Sequence, residues 1–350
     1  MRFVPMKNAV PGMALGRDLY DGDGRLLLAK HLLLTEEFIK TLLDMGFPGV
    51  YVDDELTKEV IIQEVISPQI RREVVKSVRD MFLQKDLTEK VSSNTVKLHK
   101  MVTEVIEEIL SNGDIMYNMV DLRDYDNYTY FHSVNVAVLS AMIGASYGMN
   151  REELTVLTTG ALLHDIGKKF LDIDVLNAPR ELSFEEANII KEHPKAGYEF
   201  LRENYNFPTR VFLGVLEHHE NYNGTGYPLG KSGEDITIEA RIIKIADVYD
   251  AMVSKRPYHE PASPAEIVEY IMARTGTKFD PEIVSLFLKK IAVYPVGCQV
   301  ELSTGESAIV MENFRYFPLR PKIKIMESAK TVNLMLDEDA RNITILKLIM

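Results

Sequence analysis

The sequence predicts a mainly α-helical protein, in which a large helical domain lies between a small mixed α/β unit and a short β-rich C-terminal appendix. Between residues 113 and 292, apolar residues recur at helical spacing almost throughout. Before residue 54 and after residue 293, short apolar runs alternate with turn residues, which is typical of strands. With 350 residues, 46% of them hydrophobic, the chain can build two or three units with sizeable cores.

Residues 1–54 predict the small mixed α/β unit. A hairpin-type turn at Asp21-Gly-Asp-Gly24 lies among short apolar runs. Thr35-Glu-Glu-Phe38 is expected to begin a helix that runs to about Met45, with Gly46 as its stop. The apolar runs that predict strands are Met13–Leu15, Leu26–Leu28 and Val50–Val52.

Residues 55–112 predict two long helices. Ser67-Pro68 supplies an N-cap followed by proline at the first helical position, and Asp86-Leu-Thr-Glu89 resembles a capping box. The apolar face of these helices either packs on the next domain or serves in a homodimer or in signalling to protein partners. The apolar residues at helical spacing are Val74, Val78, Met81 and Phe82, then Val102, Val105, Ile106 and Ile109.

The helical domain is assigned to residues 113–292 and the appendix to residues 293–350. The character of the sequence changes at Tyr294-Pro-Val-Gly297, after which short β-prone runs are separated by turns. The predicted strands are Gln299–Leu302, Ser307–Met311, Lys322–Ile325 and Asn342–Leu348.

The composition excludes several classes of function. A formal net charge of −12 argues against a DNA-binding protein or a binder of acidic membranes, because such binding depends on clustered Lys and Arg. The single cysteine, Cys298, excludes an intrachain disulfide and fits a reducing cytoplasm. Met1–Pro5 lacks the features of a signal peptide, and no apolar run approaches the roughly 18 residues of a membrane span. A soluble, cytoplasmic protein without membrane insertion is therefore expected.

The adjacent residues His164 and Asp165 end an apolar helix predicted over residues 151–166, with Gly167 as its stop. An imidazole and a carboxylate at a buried helix end need a partner for their charge and lone pairs. A divalent cation would supply one, and Lys168 could then hold an anion. For the dipeptide alone, a structural role is the better interpretation.

Further candidate ligands occupy comparable positions at helix ends or on apolar helices. His193 is expected to close a helix that begins with the capping box Ser183-Phe-Glu-Glu186, with Pro194 enforcing the end. A buried aspartate within the apolar helix Ala240–Ala251 costs on the order of several kcal/mol unless it is paired or metal-bound. These candidates are His132, His193, His218, His219 and Asp247.

Together with His164 and Asp165 these residues make seven candidate ligands, which exceeds what one ion with a bound water accepts. Helical bundles build metal sites from side chains that project inward from facing helices. Two divalent ions bridged by one carboxylate would suit the set. Nitrogen and oxygen ligands without thiolate favour iron or manganese, with nickel, magnesium and zinc as alternatives.

A loop, Asn223-Gly-Thr-Gly-Tyr-Pro228, follows closely after His218 and His219. Asn223, Gly224 and Gly226 permit positive φ and a close approach of backbone N–H groups to an anion. On its own such a loop is typical of a surface turn. Because it is attached to two candidate ligands, we interpret it as a substrate-contacting loop.

These motifs in combination carry a family resemblance: His132, His164-Asp165-Ile-Gly-Lys168, His193-Pro194, His218-His219-Glu220 with Asn223-Gly-Thr-Gly-Tyr-Pro228, and Asp247-Val-Tyr-Asp250-Ala251 with Arg256-Pro-Tyr258. Over roughly residues 114–290 the chain resembles the HD-GYP family, all-helical HD-superfamily phosphodiesterases that act on cyclic di-GMP in bacterial signalling. The N-terminal unit and the β-rich appendix look like common flanking additions in that family.

The resemblance implies a role for each matching residue. Asp165 would bridge the two ions, and Lys168 and Arg256 would contact a substrate phosphate. Some family members carry a Glu four residues before the first ligand histidine and bind a third metal, but Tyr128 stands at that position here, which favours two ions. The residues implied to border the guanine pocket are Gly224, Gly226, Tyr227 and Pro228. The implied metal ligands are His132, His164, Asp165, His193, His218, His219 and Asp247.

The mechanism implied is hydrolysis of cyclic di-GMP to linear pGpG, to GMP or to both. Two metal ions would lower the pKa of a bridging water, which attacks phosphorus in line with the leaving 3′-oxygen. Asp165 and Lys168 are thereby the expected catalytic residues. Two alternatives stay open: a non-hydrolysing cyclic dinucleotide receptor that relays a signal through the 55–112 helices, and a phosphodiesterase that acts on another nucleotide. The intact ligand set argues against the receptor.

Overall fold

The computed structural model describes residues 1–21, 25–83, 91–113, 115–117, 128–176, 180, 183–253 and 262–349. The chain divides into two compact units. One consists of Met1–Glu64, Ile115–Tyr128 and Lys289–Met350, and the other of Val65–Asp114 and Thr129–Leu288. The domain boundaries at residues 54, 112 and 292 stay a prediction. Within the described residues, no helix is long and apolar enough to cross a membrane.

The N-terminal part of the first unit is mixed α/β, as predicted. Its helix α1 (Glu36–Asp44) begins after Thr35, whose side chain accepts a hydrogen bond from the Phe38 N–H, and the chain leaves it through Gly46 at φ +81°. The strands are β1 (Arg2–Pro5), β2 (Ala14–Leu15), β3 (Leu19–Tyr20), β4 (Leu26–Leu28) and β5 (Gly49–Asp53). They form a sheet of order β1-β5-β2 and a β3-β4 pair, both antiparallel.

The C-terminal part of the first unit is one antiparallel sheet of order β10-β6-β7-β8-β9. In β8, Ile323 and Ile325 are buried and the intervening lysines are only half-buried, because alternate side chains of a strand point to opposite faces. The prediction omitted β9 and started the last strand three residues early. The strands are β6 (Gln299–Leu302), β7 (Ser307–Glu312), β8 (Lys322–Ile325), β9 (Thr331–Asn333) and β10 (Ile345–Ile349).

The second unit is helical, and its central helices are buried on nearly all sides. In helix α4 every residue from His132 to Gly144 is buried, which is typical of a helix in the middle of a domain. The helices are α2 (Pro68–Leu83), α3 (Val91–Ser111), α4 (Tyr128–Tyr147), α5 (Arg151–Leu163), α6 (Ile173–Leu176), α7 (Phe184–Ile190), α8 (His193–Asn204), α9 (Thr209–Glu217), α10 (Ile238–Val253), α11 (Pro264–Ala273) and α12 (Pro281–Leu288).

The apolar faces of α2 and α3 are buried inside this unit. Helix α3 packs against both α2 and α5, and the predicted stripe residues of both helices are buried. This arrangement favours the interpretation in which the stripes pack on the helical domain. A homodimer through residues 55–112 stays a prediction. The proposed capping box at residues 86–89 lies outside the described residues.

Two helix boundaries near the candidate ligands differ from prediction. Helix α5 ends at Leu163, with His164 as its C-cap, and Gly167 lies inside a separate 3-10 helix, Ile166–Phe170, so it does not stop α5. His193 begins α8 instead of closing α7, which ends at Ile190. Pro194 lies in the first turn of α8, where its missing N–H costs nothing. The Ser183 capping box of α7 is present as predicted.

Candidate metal centre

The seven predicted ligands converge from five segments of the helical unit. One side chain each comes from inside α4 and α10 and from the start of α8, and the chain just after α5 and α9 supplies two each. Their ligand atoms form three groups, each with all atoms within 4.8 Å of one another. The groups are His132–His164–Asp247, His164–Asp165–His218 and His193–His218–His219.

Three of these histidines are oriented by their own backbone. The Nδ1 atom of His164 lies 2.8 Å from the Ala161 carbonyl oxygen, and that of His218 lies 2.7 Å from the Val215 carbonyl. His193 makes the same contact with Ile190 at 2.7 Å. The last carbonyl groups of a helix have no partner within the helix, so they can accept these bonds. Since a carbonyl oxygen only accepts, Nδ1 must carry the proton and Nε2 presents its lone pair to the centre.

Asp165 lies between the two halves of this cluster. Its Oδ1 is 3.3 Å from His193 Nε2, whereas its Oδ2 is 3.5 Å from His164 Nε2 and 3.8 Å from His132 Nε2. The Lys168 ammonium lies 2.5 Å from Oδ2. A carboxylate with its two oxygens on different sides has the arrangement that a bridging ligand requires.

Asp247 supplies a second carboxylate to one half of the cluster. Its Oδ1 lies 3.1 Å from His132 Nε2 and 3.9 Å from His164 Nε2. Burial would raise the pKa of both aspartates, yet neighbouring groups overcome this effect. Lys168 holds the pKa of Asp165 well below its usual range, and His132 does the same for Asp247. Both residues are therefore carboxylates, the form that binds cations.

The histidine pKa values divide the cluster. Burial lowers the pKa of three histidines. The pKa of His164 is lowered, that of His218 falls well below its usual range, and that of His219 falls to about 3. All three imidazoles are therefore neutral. Burial also acts to lower the pKa of His132, but hydrogen bonds and charge interactions with Asp247 and Asp250 outweigh it and raise the pKa to about 8. Neutral imidazoles and ionised carboxylates are the forms that ligate metals.

The side chains fit a metal ion on two observations. His164 Nε2 is buried and has no hydrogen-bond partner among the described residues. The Nε2 atoms of His193 and His218 lie 3.3 Å apart, although the Nδ1 of each ring already donates to a carbonyl. Two buried lone pairs that face each other are unfavourable unless a cation lies between or beside them.

The predicted substrate loop lies beside this cluster. The Tyr227 ring stacks on that of His219, with centroids 4.8 Å apart and planes 25° from parallel. Gly224 has φ +81°, as predicted. Gly226 does not have a positive φ, but a Cβ there would lie 2.2 Å from the backbone nitrogen of Asn221, so the position requires glycine for its close packing.

Two glutamates to which the sequence analysis assigned no role hold the segment that follows this loop. Glu217 is fully buried and accepts from Lys231 Nζ at 2.6 Å and from the Thr237 backbone N–H at 2.9 Å. Glu220 Oε1 accepts from the backbone N–H groups of Leu229 and Gly230, at 2.6 and 3.1 Å. Thus the residues on either side of His218–His219 fix the chain directly after the loop. Arg256, the expected second phosphate contact, lies outside the described residues.

Comparison with known proteins identifies the class. The HD domain family matches residues 104–283, more than half of the chain. The chain therefore belongs to the HD domain family, which confirms the predicted superfamily and its helical fold. Membership implies binding of divalent metal, in agreement with the histidine and aspartate groups described above.

Individual relatives are nucleotide phosphodiesterases. The cyclic di-GMP phosphodiesterase PA4108 of Pseudomonas aeruginosa is 34% identical over 240 residues, 68% of this chain and 57% of the relative. The cyclic di-GMP phosphodiesterase response regulator RpfG of Xanthomonas campestris is 31% identical over a match that covers 65% of this chain and 61% of the relative. The 3'3'-cGAMP-specific phosphodiesterase 2 of Vibrio cholerae is 33% identical over a match that covers 51% of this chain and 35% of the relative. The chain thus spans less than two thirds of the length of these relatives.

Proposed function

We propose that this chain is a metal-dependent phosphodiesterase that hydrolyses cyclic di-GMP to linear pGpG, to GMP or to both. The observation that carries the proposal is the position of Asp165, whose two oxygens face different histidines of one buried cluster. Membership in the HD domain family and the cyclic di-GMP phosphodiesterases among the relatives support it. The single, buried Cys298 supports action in the reducing cytoplasm.

The donor set supports two divalent ions. One half of the site would be formed by His132, His164 and Asp247, and the other by His193, His218 and His219, with Asp165 shared. Nitrogen and oxygen donors without thiolate favour iron or manganese over nickel, magnesium or zinc. When bound, such ions lower the pKa of a coordinated water and polarise phosphate oxygens.

Lys168 has two roles in this proposal. Its ammonium lies 2.5 Å from Asp165 Oδ2 and contributes most among the charged neighbours to keeping that carboxylate ionised. Its side chain is 27% exposed, whereas that of Asp165 is 2% exposed, so the ammonium can also reach a phosphate at the edge of the centre. A cation at that point offsets charge that develops on the non-bridging oxygens.

The loop residues would hold the nucleotide. Tyr227 presents an aromatic ring next to His219, and a guanine base could stack on such a surface. Gly224, Gly226 and Pro228 would border the same base. By family resemblance, Arg256 would provide a further phosphate contact.

An anaerobic assay tests this function. The metal-stripped chain is reloaded with Fe(II) or Mn(II), bound metal is quantified, and products from cyclic di-GMP are separated by chromatography. We expect hydrolysis with about two ions per chain, and loss of both metal and turnover in Asp165→Ala and His164→Ala. His99→Ala, which alters an exposed histidine on α3, is the matched control and should behave as wild type. Retained turnover in either site variant would contradict the assignment of Asp165 and His164 as metal ligands.

A second substrate has a specific observation in its favour. One relative is specific for 3'3'-cGAMP and is 33% identical to this chain over 181 residues. Running cyclic di-GMP, 3'3'-cGAMP and a linear dinucleotide in parallel, and comparing kcat/KM, decides between them. Tight binding of cyclic di-GMP without any product, in the chain loaded with metal, would instead favour a receptor.

A further inference from the structure

We infer that Asn135 and Arg71 are positioning residues for the metal centre: through Asp250 they fix the ring orientation of His132, and they link the centre to helix α2. The inference rests on the proposed metal-dependent function and adds residues that lie outside the ligand set. All four side chains belong to the helical unit.

His132 needs a support that the other histidines obtain from the backbone. His164 and His218 follow the last turns of their helices, where carbonyl groups accept from Nδ1. His132 lies inside α4, where carbonyl groups are engaged in helical hydrogen bonds. Its Nδ1 instead lies 2.7 Å from Asp250 Oδ2, in α10. A side-chain carboxylate therefore replaces the backbone carbonyl at this ligand.

The contact continues away from the centre through buried groups. Asn135, one turn after His132, donates from Nδ2 to Asp250 Oδ1 at 2.8 Å. Arg71 on α2 donates from Nη1 to Asn135 Oδ1 at 2.5 Å. Asn135 and Asp250 are each 1% exposed, so water does not readily replace these bonds. The four side chains form a continuous hydrogen-bonded chain from α2 to the candidate ligand.

The Arg71 guanidinium, at the outer end of this series of hydrogen bonds, determines which group donates at each step. Arginine only donates, so the amide oxygen of Asn135 must face Arg71 and its NH₂ group must face Asp250. Asp250 is thereby held with Oδ2 towards His132 Nδ1. His132 donates from Nδ1 to Asp250, and this contact directs its Nε2 towards the centre, 3.1 Å from Asp247 Oδ1. A reversed Asn135 amide would place its oxygen against the Asp250 carboxylate, which is repulsive.

This series of hydrogen bonds also couples the position of α2 to the metal centre. Arg71 is in the first turn of α2 and is half-buried, whereas the groups it orients are fully buried. A shift of α2 that moves Arg71 away from Asn135 would release the amide and loosen His132. The position of α2 should therefore change the affinity of the half of the centre that contains His132, His164 and Asp247.

Metal affinity measured by calorimetry tests the inference without reference to turnover. Mn(II) is titrated into the metal-stripped full chain of the wild type and of Asn135→Ala, Arg71→Met and Arg71→Lys. Loss of groups that orient a ligand histidine typically weakens metal binding about 10- to 100-fold. We expect that range at one of two sites for Asn135→Ala, a smaller loss for Arg71→Met, and partial recovery with Arg71→Lys, which still donates.

Three further measurements separate positioning from a general effect on folding. Lys76→Met removes the same charge from an exposed position on α2 and should bind Mn(II) as wild type does. The double variant Arg71→Met/Asn135→Ala should bind no more weakly than Asn135→Ala alone, because the two residues act in series. NMR of nitrogen-15-labelled histidines in the metal-stripped chain should show the His132 Nδ1–H proton as a hydrogen-bonded, slowly exchanging signal in the wild type and faster exchange with water in Asn135→Ala.

The outcomes distinguish this inference from the proposed function. Two Mn(II) ions bound by the wild type, together with unchanged affinity and an unchanged His132 Nδ1–H signal in Asn135→Ala, would overturn the inference and leave the function intact. Additive losses from Arg71→Met and Asn135→Ala would overturn the serial link to α2. A wild-type chain that binds no metal would overturn both proposals.

Discussion

Gly167 lies directly against the backbone of His193. A Cβ at Gly167 would be 2.0 Å from the His193 carbonyl oxygen and 2.6 Å from the Gly197 backbone nitrogen. The 3-10 helix Ile166–Phe170 therefore packs on the first turn of α8 without any intervening side chain. This approach brings Asp165 Oδ1 to 3.3 Å from His193 Nε2, so one glycine sets the separation of two candidate ligands.

Gly167→Ala should disturb the centre and the fold together. The added methyl meets backbone atoms that cannot rotate away, and overpacking of this kind costs about 1–3 kcal/mol. We expect a lower melting temperature and weaker binding of Mn(II), measured by thermal unfolding and calorimetry. Gly160→Ala is the control: a Cβ there would meet nothing closer than 3.5 Å, and alanine favours the helix. Wild-type melting and affinity in Gly167→Ala would contradict this account.

Glu220→Ala should weaken substrate binding while leaving the metal in place. The substitution removes the acceptor for the N–H groups of Leu229 and Gly230, and leaving such groups without a partner costs about 1–3 kcal/mol. KM for the cyclic dinucleotide should rise, with bound metal unchanged. Glu220→Gln keeps an acceptor oxygen and should lose less, and Glu234→Ala, at an exposed position of the same segment, should have no effect. A loss of metal equal to the loss of substrate binding would argue against a role confined to the loop.

The site residues could be predicted from sequence because their chemistry is unusual for their positions. Asp247 stands out as a carboxylate in an apolar helix, and His218–His219 stand out at a helix end; the structure brings them together with His132 and His164. The boundaries around them were harder to predict. Gly167 was assigned as a helix stop by residue type, yet what requires glycine there is the contact with His193, which no local pattern encodes. Pro194 is compatible both with the first turn of a helix and with the position just after a helix end, so its presence alone did not decide between them.

The supporting residues escaped prediction because their partners lie far along the chain. Asp250 contacts His132, and Glu217 contacts Lys231 and Thr237, through the fold alone. One signal was available for Glu217. A carboxylate in the last turn of a helix is unfavourable next to the negative end of the helix dipole, so such a residue needs donors elsewhere.

Tyr227→Ala should raise KM with little effect on metal content. The ring stacks on His219 and offers a surface for a base, and stacking on an aromatic side chain is worth about 1–3 kcal/mol. We therefore expect an increase in KM of about tenfold or more, with Tyr227→Phe close to wild type because the ring is kept. Steady-state kinetics with metal analysis of each variant checks the prediction. Equal losses in the alanine and phenylalanine variants would show that the hydroxyl, and not the ring, is what matters.

Metal should stabilise the folded chain, and Asp165 should be required for that effect. The cluster gathers two carboxylates and five imidazoles, most of them buried, whose lone pairs a cation would satisfy. An ion that binds only the folded state adds about 2.7 kcal/mol at a free concentration of 100 times its Kd. Thermal unfolding with Mn(II) should show a higher melting temperature, which a chelator reverses. In Asp165→Asn, the amide cannot bridge as a carboxylate does, so the increase should largely disappear. Glu234→Gln, which removes an exposed charge, should keep it. A full increase in Asp165→Asn would place the stabilising ion elsewhere in the chain.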